Sequence, residues 1–256
     1  MKRVVTAIAL IPIVVYLVLW ANFWLFLAVV ATVACLCYRE YDGIAAAHGY
    51  GTPGPMGYGA GLLLLVAGRD EWLLLTGFAM LALALAMRDE DLTHSLPGAA
   101  LRLMGLVYVF GAWKCAILVR RDYNAHWLMF ALLVNWAGDA GAYYIGRSLG
   151  KHRLAERVSP KKTWEGTAGS LLASALIAGG YLLHFIGGIA VPQALAVTLT
   201  ANAAGQLGDL AESAMKRGAN MKDSGSLLPG HGGMLDRVDS TLFSLPVVYA
   251  YLRFHG

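Results

Sequence analysis

The sequence predicts an all-α protein, a polytopic membrane helix bundle with about nine transmembrane helices and its long polar loops on the cytoplasmic side. Three observations carry this reading. Of the 256 residues, 58% are hydrophobic and only 14% are charged, whereas about a quarter of a soluble domain is charged. Apolar runs of near-spanning length recur along the chain. The Lys and Arg residues fall between these runs, mostly on one side, as orientation by positively charged loops requires.

The runs lie at 4–20, 23–38, 56–68, 71–87, 103–119, 125–146, 167–187, 189–207 and 241–254. Lys2 and Arg3 precede the first, which is longer than the apolar core of a signal peptide and has no small-residue cleavage site after it. It reads as a helix that stays in the chain. Gly57, Gly59 and Gly61 in the third run read as close helix packing and not as a nucleotide loop, because no strand precedes them. Cys35, Cys37 and Cys115 lie in apolar runs without zinc-site spacing and read as small buried side chains. No internal repeat is visible, so the inverted-repeat signature of transporters is missing. The net charge of +4 is dispersed between runs, which argues against nucleic acid as a partner.

With nine spans and a cytoplasmic N-terminus, fifteen Lys and Arg residues fall on the cytoplasmic side. Four fall opposite (Arg69, Arg120, Arg121 and Arg253), and Lys114 lies within a span. The polar segments 147–166 and 208–240 then share the cytoplasmic side. The expected organisation is an N-terminal set of transmembrane helices over 1–130 and a C-terminal set with the catalytic loops over 131–256.

The first polar segment follows Asn135 and Asp139, which lie one helical turn apart on a shared face. A carboxylate in a membrane helix marks a function or a buried pair, here with Lys114 or Arg147. In Ser159-Pro160-Lys161-Lys162-Thr163-Trp164-Glu165-Gly166, Pro160 suits the first turn of a helix, with Ser159 as its cap. Lys161 and Lys162 would then lie at a helix N-terminus, as partners of a bound phosphate or as plain anchors at the membrane surface.

In the second segment, Asp209, Glu212, Ser213 and Lys216 are spaced as one helical stripe, and Asp209 with Glu212 could share a divalent cation. A turn-rich loop follows, with Gly225, Pro229, Gly230, Gly232 and Gly233. Backbone of this kind can aim consecutive N–H groups at phosphate oxygens. His231 stands inside it, for phosphate contact or proton transfer. Asp236 and Asp239, three residues apart, open the last span. Asp209, Glu212, Asp223, Asp236 and Asp239 are thus oxygen ligands on offer. Lys216, Arg217, Lys222, Arg237 and His231 are phosphate partners. Mg²⁺ prefers a few carboxylates plus substrate phosphates, and phosphoryl-type transfer needs mainly positioning and charge neutralisation. A polyphosphate held with Mg²⁺ at the cytoplasmic face accounts for the segment.

At these residues the chain resembles the phosphatidate cytidylyltransferase (CDP-diacylglycerol synthase) family. That family's signature is filled over 213–239 by Ser213, Lys216-Arg217, Lys222-Asp223, Gly225, Leu228-Pro229, His231-Gly232-Gly233, Asp236-Arg237 and Asp239. The stretches 135–146, 159–166 and 208–213 are similar as well, while residues 1–130 offer no motif. The resemblance implies transfer of a cytidylyl group from CTP to phosphatidic acid, giving CDP-diacylglycerol and pyrophosphate for phospholipid synthesis. It also implies a multi-pass, Mg²⁺-dependent enzyme of the inner (cytoplasmic) membrane, surrounded by membrane lipids, a homodimer, with room for a second cation. Asp209, Asp223, Asp236 and Asp239 would serve metal and catalysis. Lys161, Lys162, Ser213, Lys216, Arg217, Lys222, Gly232, Gly233 and Arg237 would bind substrate. The lipid's phosphate is already a nucleophile, which favours phosphate binding over base catalysis for His231. Two other readings are a CTP-dependent enzyme acting on a polyprenol or ether lipid, and a transporter with Asp139 and Lys114 on its pathway.

Overall fold

Helices built from the apolar runs make up most of the protein. A computed structural model describes residues 2–50, 54–68, 71–88, 91–227 and 232–255, with the backbone alone for 2–9. Helices α1 (Lys2–Leu19), α2 (Phe23–Ala47), α3 (Gly54–Val66) and α4 (Glu71–Ala86) come first. After a 3₁₀ turn at Leu92–His94, α5 (Ser95–Gly105) continues through a π-helical stretch, Leu106–Gly111, into α6 (Ala112–Asp122). Next are α7 (Ala125–Leu149), strands β1 (Arg153–Ala155) and β2 (Ser159–Thr163), and α8 (Trp164–Ser174). A second π-helical stretch, Ala175–Gly179, joins α8 to α9 (Gly180–Phe185), and α10 (Val191–Gly218) and α11 (Leu235–His255) complete the chain.

Among the described residues, three continuous helices are long and apolar enough to cross a membrane: Phe23–Ala47, Leu92–Asp122 and Trp164–Phe185. Leu10–Leu19, Gly54–Val66 and Glu71–Ala86 are shorter apolar helices. Among the described residues the helical reading is correct apart from one antiparallel hairpin, β1–β2, which pairs Arg153 with Thr163 and Ala155 with Ser159. The helix expected to start at Pro160 starts at Trp164 instead. Thr163 is its cap, with Oγ1 accepting from the Gly166 N–H at 3.1 Å. Pro160 and both lysines fall on β2: Thr163 is also a favoured cap residue, and proline is tolerated in edge strands.

The chain divides into two compact units, each discontinuous in sequence. The first comprises 1–26, 115–214 and 238–256. Here α7 lies along α8 through small residues. A Cβ on Gly141 would collide with the Gly169 carbonyl and come within 2.6 Å of Ala173 Cβ. Close backbone approach of this kind is how helices associate where no water drives them together. Arg120 donates to the Val18 carbonyl at 2.7 Å and the Ala21 carbonyl at 3.2 Å, satisfying acceptors at the end of α1. Buried polar side chains link the helices. Asn135 donates to Ser244 Oγ at 2.7 Å, Ser174 Oγ to the Val134 carbonyl at 2.7 Å, and Asn202 to Ser174 Oγ at 2.8 Å.

The second unit comprises 27–114 and 215–237. Its core is aromatic: the Tyr38 ring meets Tyr41, Tyr58 and Phe110. Gly61 is required beside the Phe110 ring, as the close-packing reading expects. Gly59 is not, because a Cβ there meets nothing within 4 Å. Lys114 is buried and caps the end of α3. Its ammonium donates to the carbonyls of Leu65, at 3.1 Å, and Ala67, and lies 3.3 Å from Glu71 Oε1.

Overpacking a tight helix contact costs about 1–3 kcal/mol. Gly141→Leu is therefore expected to lower the melting temperature of the detergent-solubilised protein by several degrees. Gly180→Leu, at a position open for at least 4 Å, is expected to leave it unchanged.

Candidate functional site

In the first unit, the end of α7, the hairpin and the middle of α10 enclose an open cavity of about 580 Å³, within the usual range for ligand pockets. Local chemistry builds its rim. The Glu165 carboxylate accepts from the backbone N–H of Lys151 at 3.1 Å and of His152 at 3.3 Å, and pairs with His152 Nδ1 at 2.6 Å. This pins the base of the hairpin to the first turn of α8. Gly150 is needed at the turn, because a Cβ would collide with the Gly146 carbonyl and lie 2.8 Å from Thr163 Oγ1. The hairpin then sets Lys161, Lys162 and Arg153 on the cavity wall with Arg147 from α7. Two carboxylates face these four cations, Asp139 and Asp209. Lys162 Nζ lies 2.7 Å from Asp209 Oδ2, and Ser213 Oγ reaches Asp209 Oδ1 at 3.4 Å.

The amides of Asn135, Asn202 and Gln206 line the same cavity. Gln206 donates to Asn202 Oδ1 at 2.6 Å. The network that joins the helices therefore also holds the cavity wall. A cationic cavity with two carboxylates and neutral amide groups suits an anionic ligand carrying hydrogen-bonding groups. The donor set also fits Mg²⁺, which needs only one or two carboxylates when substrate phosphates supply the remaining oxygens. Among the described residues, no three His, Cys, Asp or Glu side chains form a closed metal-binding group.

In the second unit the end of α10 and the described residues of the loop after it are tied together by hydrogen bonds. The helix ends with Asn220 in the left-handed region, at φ 55°. The Met221 N–H returns to the Lys216 carbonyl at 2.8 Å, a Schellman-type stop. Arg217 donates to the Met221 carbonyl at 2.9 Å. The Asp236 carboxylate, in the first turn of α11, gathers the loop. Its Oδ1 accepts from Lys216 Nζ, and its Oδ2 from the N–H of Ser224 at 2.9 Å and of Gly233 at 2.7 Å. Burial pushes the Asp236 carboxyl up, but the bonds from Lys216, Gly233 and Ser224 together outweigh it and hold its pKa below the ordinary value. Gly232 turns at φ 80°, where a Cβ would sit 2.5 Å from Asp236 Oδ2.

A sequence profile of the Cytidylyltransferase family matches residues 1–255. The chain belongs to the cytidylyltransferase family. Among relatives, it is 43% identical over 154 residues to the phosphatidate cytidylyltransferase of Staphylococcus saprophyticus, covering 60% of this chain and 59% of that one. It is 44% identical over 153 residues to the phosphatidate cytidylyltransferase of Bacillus subtilis, covering 58% and 56%. A third, from Staphylococcus haemolyticus, is 44% identical over 155 residues, covering 60% and 59%. The chain thus spans less than three fifths of the length of these relatives in each alignment.

In this family member the expected residues separate by unit. Lys161, Lys162 and Asp209 line the cavity, with Ser213 against Asp209. The Asp239 carboxylate accepts from the Ser240 N–H at 2.7 Å. In the second unit Lys216, Gly232 and Gly233 close around Asp236, while Lys222, Asp223 and Arg237 are exposed. His231 lies outside the described residues, as do Leu228, Pro229 and Gly230. Glu212 is fully buried, unlike the half-exposed Asp209 of the same stripe.

Sequence reasoning missed Glu40. It lies on α2, far from every motif, and its carboxylate accepts from Ser224 and from the backbone of Met234 and Leu235. The available signal was weak: an acid between Arg39 and Asp42, just past the end of the second apolar run, on a helix that the structure extends to Ala47. The cavity amides Asn202 and Gln206 were missed too, being uncharged residues in a run read only for its hydropathy.

Two outcomes are expected for the loop. Gly232→Ala should make it more open to limited proteolysis, whereas Gly180→Ala should not. A carboxyl with a depressed folded-state pKa contributes stability above its unfolded value, about 4, and loses it as pH falls through the folded value. Amide exchange at Ser224 and Gly233, corrected for intrinsic rates, should hold steady from pH 7 to pH 5 (round values above that limit) and lose protection only at lower pH.

Proposed function

We propose that this protein transfers a cytidylyl group from CTP to phosphatidic acid, releasing pyrophosphate and forming CDP-diacylglycerol. The observation that carries the proposal is the cationic cavity with Asp139 and Asp209, set in a chain of the cytidylyltransferase family and similar to relatives named phosphatidate cytidylyltransferase.

An oxygen of the lipid phosphate attacks the α-phosphorus of CTP, and the bond from that phosphorus to the bridging oxygen of the β-phosphate breaks. Phosphate monoesters lose their second proton near pH 6, so the nucleophile forms without a strong base. Lys161, Lys162, Arg147 and Arg153 hold the phosphates and neutralise charge as it moves onto pyrophosphate. Lys162, paired with Asp209 at 2.7 Å, can exchange that carboxylate for a phosphate oxygen. Bound Mg²⁺ would supply a Lewis acid that draws electron density from the reacting phosphates. The family resemblance supports Asp209, Asp223, Asp236 and Asp239 as its ligands, and the cavity adds Asp139. Ser213, Lys216, Arg217, Lys222, His231, Gly232, Gly233 and Arg237 are proposed to serve the substrates' phosphates, and the polar amides suit a neutral ring with donors and acceptors.

The same reading places the protein in the cytoplasmic membrane as a homodimer. Nine crossings and a cytoplasmic N-terminus are supported by the fifteen-to-four distribution of Lys and Arg.

Purified protein in mixed micelles with radiolabelled CTP is expected to form labelled CDP-diacylglycerol only when both phosphatidic acid and Mg²⁺ are present. Label appearing on a polyprenol or ether lipid instead, with none on phosphatidic acid, overturns the acceptor assignment. Asp209→Asn and Asp236→Asn should each cut turnover by at least about 100-fold, the scale of losing a main electrostatic group, while the protein stays folded and membrane-inserted. Near-normal turnover in either variant would remove that carboxylate from the site.

A further inference from the structure

We propose that Glu40 is the positioning residue of the signature loop, holding it in reactive shape through its carboxylate; the inference rests on the reaction proposed above. Glu40 is 8% exposed and sits on α2, within the second unit. Its Oε2 accepts from Ser224 Oγ at 2.8 Å and from the Leu235 N–H at 2.7 Å. Its Oε1 accepts from the Met234 N–H at 2.8 Å. The Met234 and Leu235 amides open α11, where helical N–H groups have no partner within the helix. A carboxylate there meets both the unpaired donors and the positive end of the helix dipole.

The loop's glycines follow from this contact. A Cβ on Gly233 would collide with both Glu40 Oε2 and Ser224 Oγ, and one on Gly225 would stand 2.9 Å from Glu40 Oε1. These two glycines allow the backbone to be drawn onto the carboxylate. Ser224 is shared, since its N–H goes to Asp236 and its hydroxyl to Glu40. The turn at 233–235 is shared as well, with Gly233 bonded to Asp236 and the next two amides to Glu40. Two carboxylates from two helices therefore grip the loop from both ends. Lys216, Asp223, Gly232 and Gly233 take their places from that grip.

Charge-assisted bonds of this kind are strong because an ionised carboxylate has acceptor sites on both oxygens. Glutamine keeps the volume but has one acceptor oxygen. With that oxygen serving Ser224 and Leu235, its amide N–H₂ faces the Met234 N–H, donor against donor. Glu40→Gln is thus a small change in size that breaks one defined contact.

The test compares wild type, Glu40→Gln and Ser224→Ala as purified full-length proteins, by CDP-diacylglycerol synthesis and by hydrogen exchange. Glu40→Gln is expected to lower kcat at least about 10-fold, the scale of a misplaced group, with the KM for CTP changed less than about threefold. Exchange at Met234 and Leu235 should quicken by about 10-fold or more, as expected for local opening, with α7 and α8 unchanged. Ser224→Ala should shift both readings in the same direction by less, and it carries the comparison alone if Glu40→Gln is not recovered folded. Unchanged kcat and exchange overturn the proposal, as does a raised KM at constant kcat. Faster exchange throughout α7 and α8 also overturns it, because Glu40 would then be a general fold residue. If wild type makes no lipid product, the proposed reaction fails, while the exchange comparison still decides whether Glu40 holds the loop.

Discussion

A polar group withdrawn from water needs a partner inside the chain, and in a protein this apolar that constraint organises the rest. An unmet donor or acceptor away from water costs a few kcal/mol. The helices meet the demand for most of their own backbone. The remaining demand falls on helix ends and on the few polar side chains between them. Arg120 takes the carbonyls at the end of α1, and Lys114 takes those after α3. Glu40 takes the opening amides of α11. In each case a charged side chain from elsewhere in the sequence completes a helix end, so local termination and long-range packing are one event.

The same demand connects fold to function. In the first unit Asn135 donates to Ser244, Asn202 to Ser174, and Ser174 to the Val134 carbonyl, each between helices. Asn135 and Asn202 also face the cavity beside Asp139 and Asp209. In the second unit Asp236 and Glu40 draw a glycine-rich loop into a fixed shape by accepting its backbone N–H groups. Rigid support of this kind matters for group transfer, in which most of the catalytic work lies in placing charge before the reaction starts. The glycines are the steric counterpart: Gly150, Gly232 and Gly233 stand where any Cβ would enter an occupied position.

Much of this was legible in the residues. Apolar runs name the helices because burial in lipid requires length and hydropathy, both visible in one dimension. The signature named Lys216, Gly232, Gly233 and Asp236, and the helical stripe leading into it named Asp209, because their chemistry depends on spacing within one stretch of chain. The start of α8 was not legible, since Ser159 and Thr163 are both good caps and only the pairing of β2 with β1 chooses between them. The length of α10 was hidden as well. Its apolar run and its charged stripe read as separate pieces, yet Val191–Gly218 is one helix that carries Asp209 to the cavity.

The sequence by itself determined the helical class, the apolar segments and the identity of the signature, because each is a local property of composition or spacing. The tertiary structure decided which groups meet. Glu40 lies 184 residues before Ser224, and nothing in the neighbourhood of either announces the other. Lys162 and Asp209 likewise belong to separate polar segments and pair at 2.7 Å only because the hairpin folds against α8. Hydrogen bonds and ion pairs act over a few ångströms of space, so separation along the chain carries no record of them. Only packing brings the partners within reach.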